Sequence, residues 1–355
     1  MSAPTPEDAL TQAVRAKALA LGFPRVAFAR ATRLEVEEAR LEAWLASGFH
    51  GSMQWMADTA DMRVDPQAMV AGALSVVVVA LPYARADAEA PEGPVPGRVA
   101  RYARGRDYHN VLQKRLRKPE RWLRDRGHDA RWSVDSRPVL ERAWAERSGL
   151  GFIGKNCCLI VPGVGSHLFL GTVITQAPLT PGAPMRERCG RCTRCLDACP
   201  TAAFAAPRRL DARRCVSYLT IEHEGPIAPE LREGVGDRVF GCDVCQDVCP
   251  YNATKPADEA VTAPFAPGER FTATDAPDAA GLLAMDDAAY AAWAHASPLA
   301  RPGRARMQRN AALVLGNVGD RRHLPVLREA AEGHESPVVR DAAAWAAAQL
   351  DKARR

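Results

Sequence analysis

The 355-residue sequence has no run of about 18 apolar residues, so a membrane-spanning helix is not expected. Its most apolar stretch, LSVVVVAL from Leu74 to Leu81, is short and β-branched, and reads as a buried strand. The first twelve residues, MSAPTPEDALTQ, lack a basic segment followed by an apolar core. No secretory signal is therefore expected, and a cytoplasmic location is. Cysteine is scarce outside one stretch: eight of the ten fall between Cys189 and Cys249. Ten cysteines would make a disulfide scaffold in a small secreted domain. Here hydrophobic residues are 47% and charged residues 25% of the chain, enough to build cores without staples. Clustered cysteines in such a chain point to metal.

Net charge is +5, but its placement says more. Residues 101–132 carry eleven Arg or Lys against four acids, and residues 301–322 carry six Arg against one Asp. Between them, residues 256–290 are acidic. Two basic segments allow a polyanion partner. A solvated Arg-rich surface would read the same way.

Residues 5–20 predict a helix with Pro in its first turn and acids close behind. Further helices are expected over 33–47, 107–126 and 138–148, and strands over 74–81, 130–134 and 169–175. Alternating helices and strands make residues 1–180 one α/β domain. The Pro- and Gly-rich stretch 177–184 separates it from a cysteine module at 181–256. Residues 257–283 read as a connector. From 284 to 355 the chain is Ala-rich and helical. Arg309-Asn-Ala-Ala-Leu-Val-Leu recurs as Arg340-Asp-Ala-Ala-Ala-Trp-Ala at a 31-residue offset, which suggests a short HEAT-type helical repeat.

Residues 189–200 read CGRCTRCLDACP, the bacterial ferredoxin run C-x2-C-x2-C-x3-C-P. A compact turn lets Cys189, Cys192 and Cys195 reach one iron cube, while Cys199 leaves on the next helix toward another. A second set is required, and residues 242–250, CDVCQDVCP, supply Cys242, Cys245 and Cys249. Cys215, upstream, can complete it. The two-cluster rule then assigns Cys189, Cys192, Cys195 and Cys249 to cluster one, and Cys199, Cys215, Cys242 and Cys245 to cluster two. Zinc could occupy C-x2-C pairs, but zinc ribbons do not need the x3-C-P ending twice. Cys157 and Cys158 lack the spacing for a third cluster and read as small packing residues. Clusters move single electrons and do not choose a substrate, so the remaining chain must hold a second redox group, a substrate, or both.

With these runs in view, the chain resembles the epoxyqueuosine reductase family almost end to end. The resemblance is carried by GFHGSMQWM at 48–56, MRVDP at 62–66, RYARGRDYHNVL at 101–112, VDSRPVLERAWAERSGLGFIGKN at 134–156, SYLTIEHEG at 217–225, GCDVCQDVCP at 241–250 and RNAALVLGN at 309–317. It implies an α+β or α/β multidomain chain: a nitroreductase-like domain holding cobalamin, a ferredoxin-like module with two 4Fe–4S clusters, and a C-terminal HEAT-like region that helps bind tRNA. The implied reaction removes the epoxide oxygen of epoxyqueuosine at the wobble position of a GUN anticodon. It takes up two electrons from a flavodoxin- or ferredoxin-type donor and releases water. A monomer is expected.

Expelling an epoxide oxygen needs a proton, because alkoxide is a poor leaving group. The resemblance places the donor at Asp135. Read locally, Asp135 is equally a strand-end residue capping the helix that follows. Cobalamin contacts carried over from the family motifs are Arg63, His109, Asp135, Lys155, Asn156, Ser217, Cys242 and Asp243; each polar group here could instead serve a local hydrogen bond. The cobalt-ligating box D-x-H-x-x-G is incomplete, since Asp107 and His109 lack the glycine, so no histidine is expected on cobalt. For tRNA the candidates are Glu222, His223, Lys255, Arg304, Arg306, Arg309 and Asn310. Arg306 and Arg309 share one helix face, and guanidinium forks suit phosphates. A reductive-dehalogenase-like enzyme acting on a small molecule would share the cofactors without needing an Arg-rich tail. A plain two-cluster electron carrier would not need Asp135 or the long N-terminal region.

Overall fold

The computed structural model describes residues 5–84, 95–253 and 277–352. The N-terminal unit is built from α1 (Pro6–Ala20), β1 (Arg25–Arg30), α2 (Glu35–Ala46), β2 (Ser75–Pro82), α3 (Tyr108–Arg124), β3 (Ala130–Ser133), α4 (Glu141–Arg147) and β4 (Leu168–Thr175). Helix α1 starts where its chemistry says it should. The Thr5 side chain takes the Asp8 N–H, Asp8 reaches back to the Thr5 N–H, and Pro6 opens the first turn.

The strands form one sheet in the order β1-β2-β4-β3, with every neighbouring pair antiparallel. The alternation of helices and strands suggested an α/β unit; antiparallel pairing makes it α+β. Strand β2 is buried along its whole length because both faces of the sheet are covered. Val77, Val79 and Leu81 pack with α1 and α3, and Val76, Val78 and Ala80 pack with α2 and α4. Such a strand reads as an unbroken apolar run whichever way its neighbours point. Strand β1, RVAFAR, was not foreseen. The helix expected over 138–148 is confined to Glu141–Arg147.

The cysteine module contributes two one-turn helices, Arg194–Asp197 and Val244–Asp247, packed against each other. Between them lie α5 (Val216–Ile221) and α6 (Pro229–Val235). The tail is helical, with α7 (Arg304–Val318), α8 (Leu324–Gly333) and α9 (Pro337–Lys352). The repeated segments fall on α7 and α9, which pack together. Gly316 makes that contact possible, since a Cβ there would sit 2.7 Å from the Ala346 Cα. One core joins the tail to the module: Leu219, Leu231 and Phe240 pack with Met307, Leu313 and Leu350. Val95, Val99 and Ala103 belong to this core too, and Arg98–Val99 pairs in parallel with Arg238–Phe240. The segment entering α3 is thereby anchored on the cysteine module. The expected connector ends in a short helix, Ala279–Ala284. Among the described residues no helix is long and apolar enough to cross a membrane.

Candidate active site

All ten cysteines are free of disulfides. Their mutual influence divides the eight clustered ones into two groups. Burial lifts the Cys189 thiol to about 11, with Glu187 and then Cys249 adding to the effect. Burial also raises Cys195 and Cys249; the former senses Cys249 and Cys192, the latter Cys192. In the second group burial raises Cys215, which senses Cys199. Burial pushes Cys242 to about 11, and Cys215 is among its neighbours. Cys245 senses both Cys215 and Cys242. Cys249 lies near Cys189, Cys192 and Cys195 and also near Cys158, and Cys199 lies near Cys215. Crowded, desolvated thiols hold their protons, and a cationic cluster is what would deprotonate them.

Cys158 lies beside the second group. The Cys245 thiol donates a hydrogen bond to the Cys158 sulfur, which holds Cys158 below the ordinary thiol range and drives Cys245 well above it. Asn156 pins the same turn, donating through Nδ2 to the Cys245 carbonyl at 3.1 Å and accepting the Cys158 N–H at 3.2 Å. Lys155 grips the first run instead, with Nζ 2.7 Å from the Gly190 carbonyl and 3.0 Å from that of Cys192. Asp243 accepts the Arg101 N–H at 2.7 Å, and burial raises its pKa. Ser217 opens α5 two residues after Cys215 and is half-buried. That helix is docked on the 48–56 loop by Tyr218, whose hydroxyl takes the Ser52 N–H at 2.7 Å. Gly51 permits the contact, because its φ is +60° and a Cβ would collide with the Tyr218 hydroxyl.

A second constellation surrounds Asp135, which follows β3 with a left-handed φ of 50°, a conformation costly for a non-glycine residue. Three partners hold it. The Tyr108 hydroxyl donates to Asp135 Oδ2 at 2.7 Å. His109 Nε2 lies 3.9 Å from the same oxygen. Glu141 Oε1 accepts the Asp135 N–H and the Ser133 hydroxyl, each at 3.1 Å. Asp135 itself is 70% exposed and faces outward. His109 is oriented from behind by Asp107, 2.7 Å from its Nδ1. Burial raises the Asp107 carboxyl, but the His109 bonds prevail and hold it below its usual range. Burial, then the charge of Asp135, raises Glu141 to about 7. Burial lowers Arg63, opposed by the charges of Glu141 and Asp135; its guanidinium sits 5.0 Å over the Trp55 ring. Tyr102, half-buried, meets the Tyr108 ring edge-on at 6.0 Å and the Phe240 ring at 5.9 Å between centroids. It therefore bridges the residue that holds Asp135 and the strand that leads to Cys242. Tyr108, Glu141 and Tyr102 were missed in the sequence, although all three lie in or beside the quoted motifs. Nothing in their spacing marks them.

The tail departs most from expectation. Arg309 and Asn310 are fully buried. Arg309 donates to the carbonyls of Leu219, His223 and Gly225, and Asn310 to those of Thr220 and Val239. Both close the carboxyl end of α5, where unsatisfied carbonyls attract cations and donors. They shape the loop after α5, and both side chains are buried with their donors engaged by the protein. Arg304 is held by Asp287 and Glu335. Arg306 donates to the carbonyls of Ile221 and Glu222 at 3.2 Å. Glu222 pairs with Arg301 at 2.8 Å, and His223 Nε2 lies 3.1 Å from the Pro226 carbonyl. Lys255 lies outside the described residues.

Residues 63–136 match the family described as epoxyqueuosine reductase QueG, DUF1730. Residues 188–252 match the 4Fe-4S double cluster binding domain, and residues 298–355 match HEAT repeats. The chain is 42% identical over 355 residues to an epoxyqueuosine reductase of Xanthomonas campestris pv. campestris, covering 98% of each chain. It is 37% identical to the Escherichia coli K12 enzyme of that name, covering 98% of this chain and 92% of the other. Among solved structures, an epoxyqueuosine reductase with an epoxyqueuosine-modified tRNA-Tyr stem loop superposes with a TM-score of 0.87 at 32% identity, covering 96% of this chain and 90% of that one. The Bacillus subtilis enzyme, with its catalytic loop swung out of the active site, superposes with a TM-score of 0.88 at 32% identity and the same coverage. With relatives this similar along nearly its whole length, the chain belongs to the epoxyqueuosine reductase family.

Proposed function

We propose that this chain reduces epoxyqueuosine to queuosine at the wobble position of a tRNA with a GUN anticodon. The observation that carries the reading is the placement of Asp135, an exposed carboxyl held by Tyr108, His109 and Glu141, across Tyr102 from a double ferredoxin cysteine set. Cys189, Cys192, Cys195 and Cys249 would hold one 4Fe–4S cluster, and Cys199, Cys215, Cys242 and Cys245 the other. The residues also fit a corrin, whose rim of amides needs both donors and acceptors. Arg63, His109, Asp135, Asn156, Ser217 and Asp243 offer both kinds of group, Arg63 and His109 beside the acid and Asn156, Ser217 and Asp243 beside the second cysteine group. Lys155, committed to the first cysteine run, would hold the cluster module instead. The N-terminal unit would be the nitroreductase-like cobalamin fold. Cobalamin, when bound, supplies a metal centre that delivers electrons singly to an organic substrate.

The chain's own residues account for the proton. Removing the epoxide oxygen consumes two electrons and two protons, breaks both C–O bonds, forms a C=C bond and releases water. Asp135 faces outward and can give its proton to the oxygen as it departs. Tyr108 occupies Oδ2, which leaves Oδ1 for the substrate. Burial and the Asp135 charge raise the pKa of the Tyr108 phenol, so it stays a hydrogen-bond donor. His109, backed by Asp107, stands where it can return a proton to Asp135. A flavodoxin- or ferredoxin-type protein would reduce the clusters, and the enzyme would work as a cytoplasmic monomer.

The test is mass analysis of tRNA nucleosides after anaerobic incubation with cobalamin and a reductant. Conversion of epoxyqueuosine to queuosine is expected. Unchanged epoxyqueuosine with protein that has bound both cofactors would overturn the reading.

A further inference from the structure

Of the tail cations expected to meet RNA, Arg309 is buried, Arg304 is held by two surface acids and Arg306 donates to the carbonyls of Ile221 and Glu222. The other basic segment lies on α3. At about 100° per residue, Lys114, Arg117, Lys118 and Arg121 fall within about 100° of arc. All four are exposed. Leu112, Leu116, Pro119 and Leu123 are buried on the opposite side of the helix. Among the described residues none of the four cations has an acidic partner within ion-pair distance. Of the acids at this end of the helix, Glu120 pairs with Arg124 and Asp125 lies beyond the last turn.

Like charges spaced three and four apart repel along a helix. A merely solvated face would gain from interspersed acids, as α2 has with Glu37 beside Arg40. The ridge also has a direction. Its helix begins at Tyr108 and His109, the residues that hold Asp135. Arg121 lies about 20 Å along the axis from there. Trp132 joins the ridge to the Asp135 loop: Arg117 sits 5.9 Å over its ring and Arg137 5.3 Å.

We propose that the exposed ridge Lys114, Arg117, Lys118 and Arg121 binds the phosphate backbone of the RNA stem that leads into the Asp135 site. This rests on the reading of the substrate as tRNA, and it assigns the stem's track to α3. A cation every turn at fixed spacing suits a helical phosphate run and carries no base information. The ridge therefore sets affinity, and the Asp135 site sets chemistry.

The experiment uses holoenzyme and an anticodon stem-loop carrying epoxyqueuosine. Lys114, Arg117, Lys118 and Arg121 are changed together to Gln. A control set changes four scattered exposed cations, Arg25, Arg40, Arg328 and Lys352, to Gln. Binding is measured from about 50 to 200 mM salt. The ridge variant should bind at least about tenfold more weakly at the low end. Its log Kd against log salt slope should fall by about 2 to 3, near the figure for three or four lost phosphate contacts. Its kcat at saturating RNA should match wild type. The control set should change neither affinity nor slope by as much. Equal losses in both sets would show a net-charge effect and overturn the ridge, as would unchanged affinity in a ridge variant with intact cluster absorbance. Loss of binding to vesicles of phosphatidylcholine and phosphatidylglycerol, with RNA binding intact, would also overturn it in favour of a lipid surface. If wild type binds the stem-loop but makes no queuosine, the functional reading fails while the ridge still stands or falls on its own slope.

Discussion

The Tyr108 hydroxyl donates to Asp135 Oδ2 at 2.7 Å, tying the first residue of a long basic helix to a loop residue in a left-handed conformation. If Asp135 is the acid, Asp135→Asn should lower kcat by about 100-fold or more, with cobalamin and cluster absorbance kept. Tyr108→Phe removes only the donor. A hydrogen bond to a charged group is worth about 1.5–3 kcal/mol, so kcat should fall about 10- to 100-fold with little change in KM for RNA. Wild-type kcat in Asp135→Asn would remove the acid assignment; wild-type kcat in Tyr108→Phe would remove only the clamp.

Glu141 gives a pH prediction with a definite sign. Its folded pKa of about 7 stands above its ordinary value of 4.5, chiefly through burial and secondly through Asp135. The folded chain therefore binds this proton more tightly than the unfolded chain. The stability this confers is fully present below about pH 4.5 and is lost as pH rises through 7. Glu141→Gln keeps an acceptor oxygen for Asp135 and Ser133 but cannot ionise. Its stability relative to wild type should rise between pH 5 and pH 8, by at most about 3 kcal/mol. Denaturant midpoints at the two pH values measure this. A difference that does not change with pH would contradict it.

How much of this was legible beforehand depends on which force set each feature. Helices α1 and α3 and strand β2 were readable, because a capping box, an amphipathic stripe and a β-branched run are local signals. The proposed pairing of Cys249 with the first cysteine run rests on the two-cluster rule, and iron content is its test. Strand β1 was not readable, since six residues of mixed polarity carry little periodicity. Nor was the burial of Arg309. Its charge and spacing suit phosphate as well as they suit a helix terminus, and only the packing of α7 on α5 decides between them. Glu141 was invisible for the same reason, because its acceptor role depends on a tertiary turn.

The ligand sets can be tested by iron content. Wild type should carry about eight irons per chain. Cys215→Ala, which removes the one ligand outside both runs, should lose most of the second cluster and fall toward about four. Cys158→Ala should keep about eight, because Cys158 meets a ligand sulfur without belonging to either set. Loss of iron in Cys158→Ala equal to that in Cys215→Ala would make Cys158 a ligand and break the assignment.

Arg309 separates a structural role from an RNA contact by opposite patterns. Among the described residues its guanidinium has no carboxylate partner, and burial, then Arg306, pulls its pKa down to about 10. It is retained because it supplies donors to three loop and helix-end carbonyls at once. Arg309→Met keeps much of the volume and removes every donor. Leaving those acceptors buried and unpaired should cost about 3 kcal/mol or more, seen as a lower thermal midpoint. In samples kept well below that midpoint, the salt slope of RNA binding should be unchanged, because no phosphate contact has been lost. A surface phosphate contact would produce the reverse, with stability intact and the slope reduced by about one. That reverse pattern would mean the guanidinium leaves its buried site when RNA binds, and the closed end of α5 would then be an opening device rather than a fixed cap.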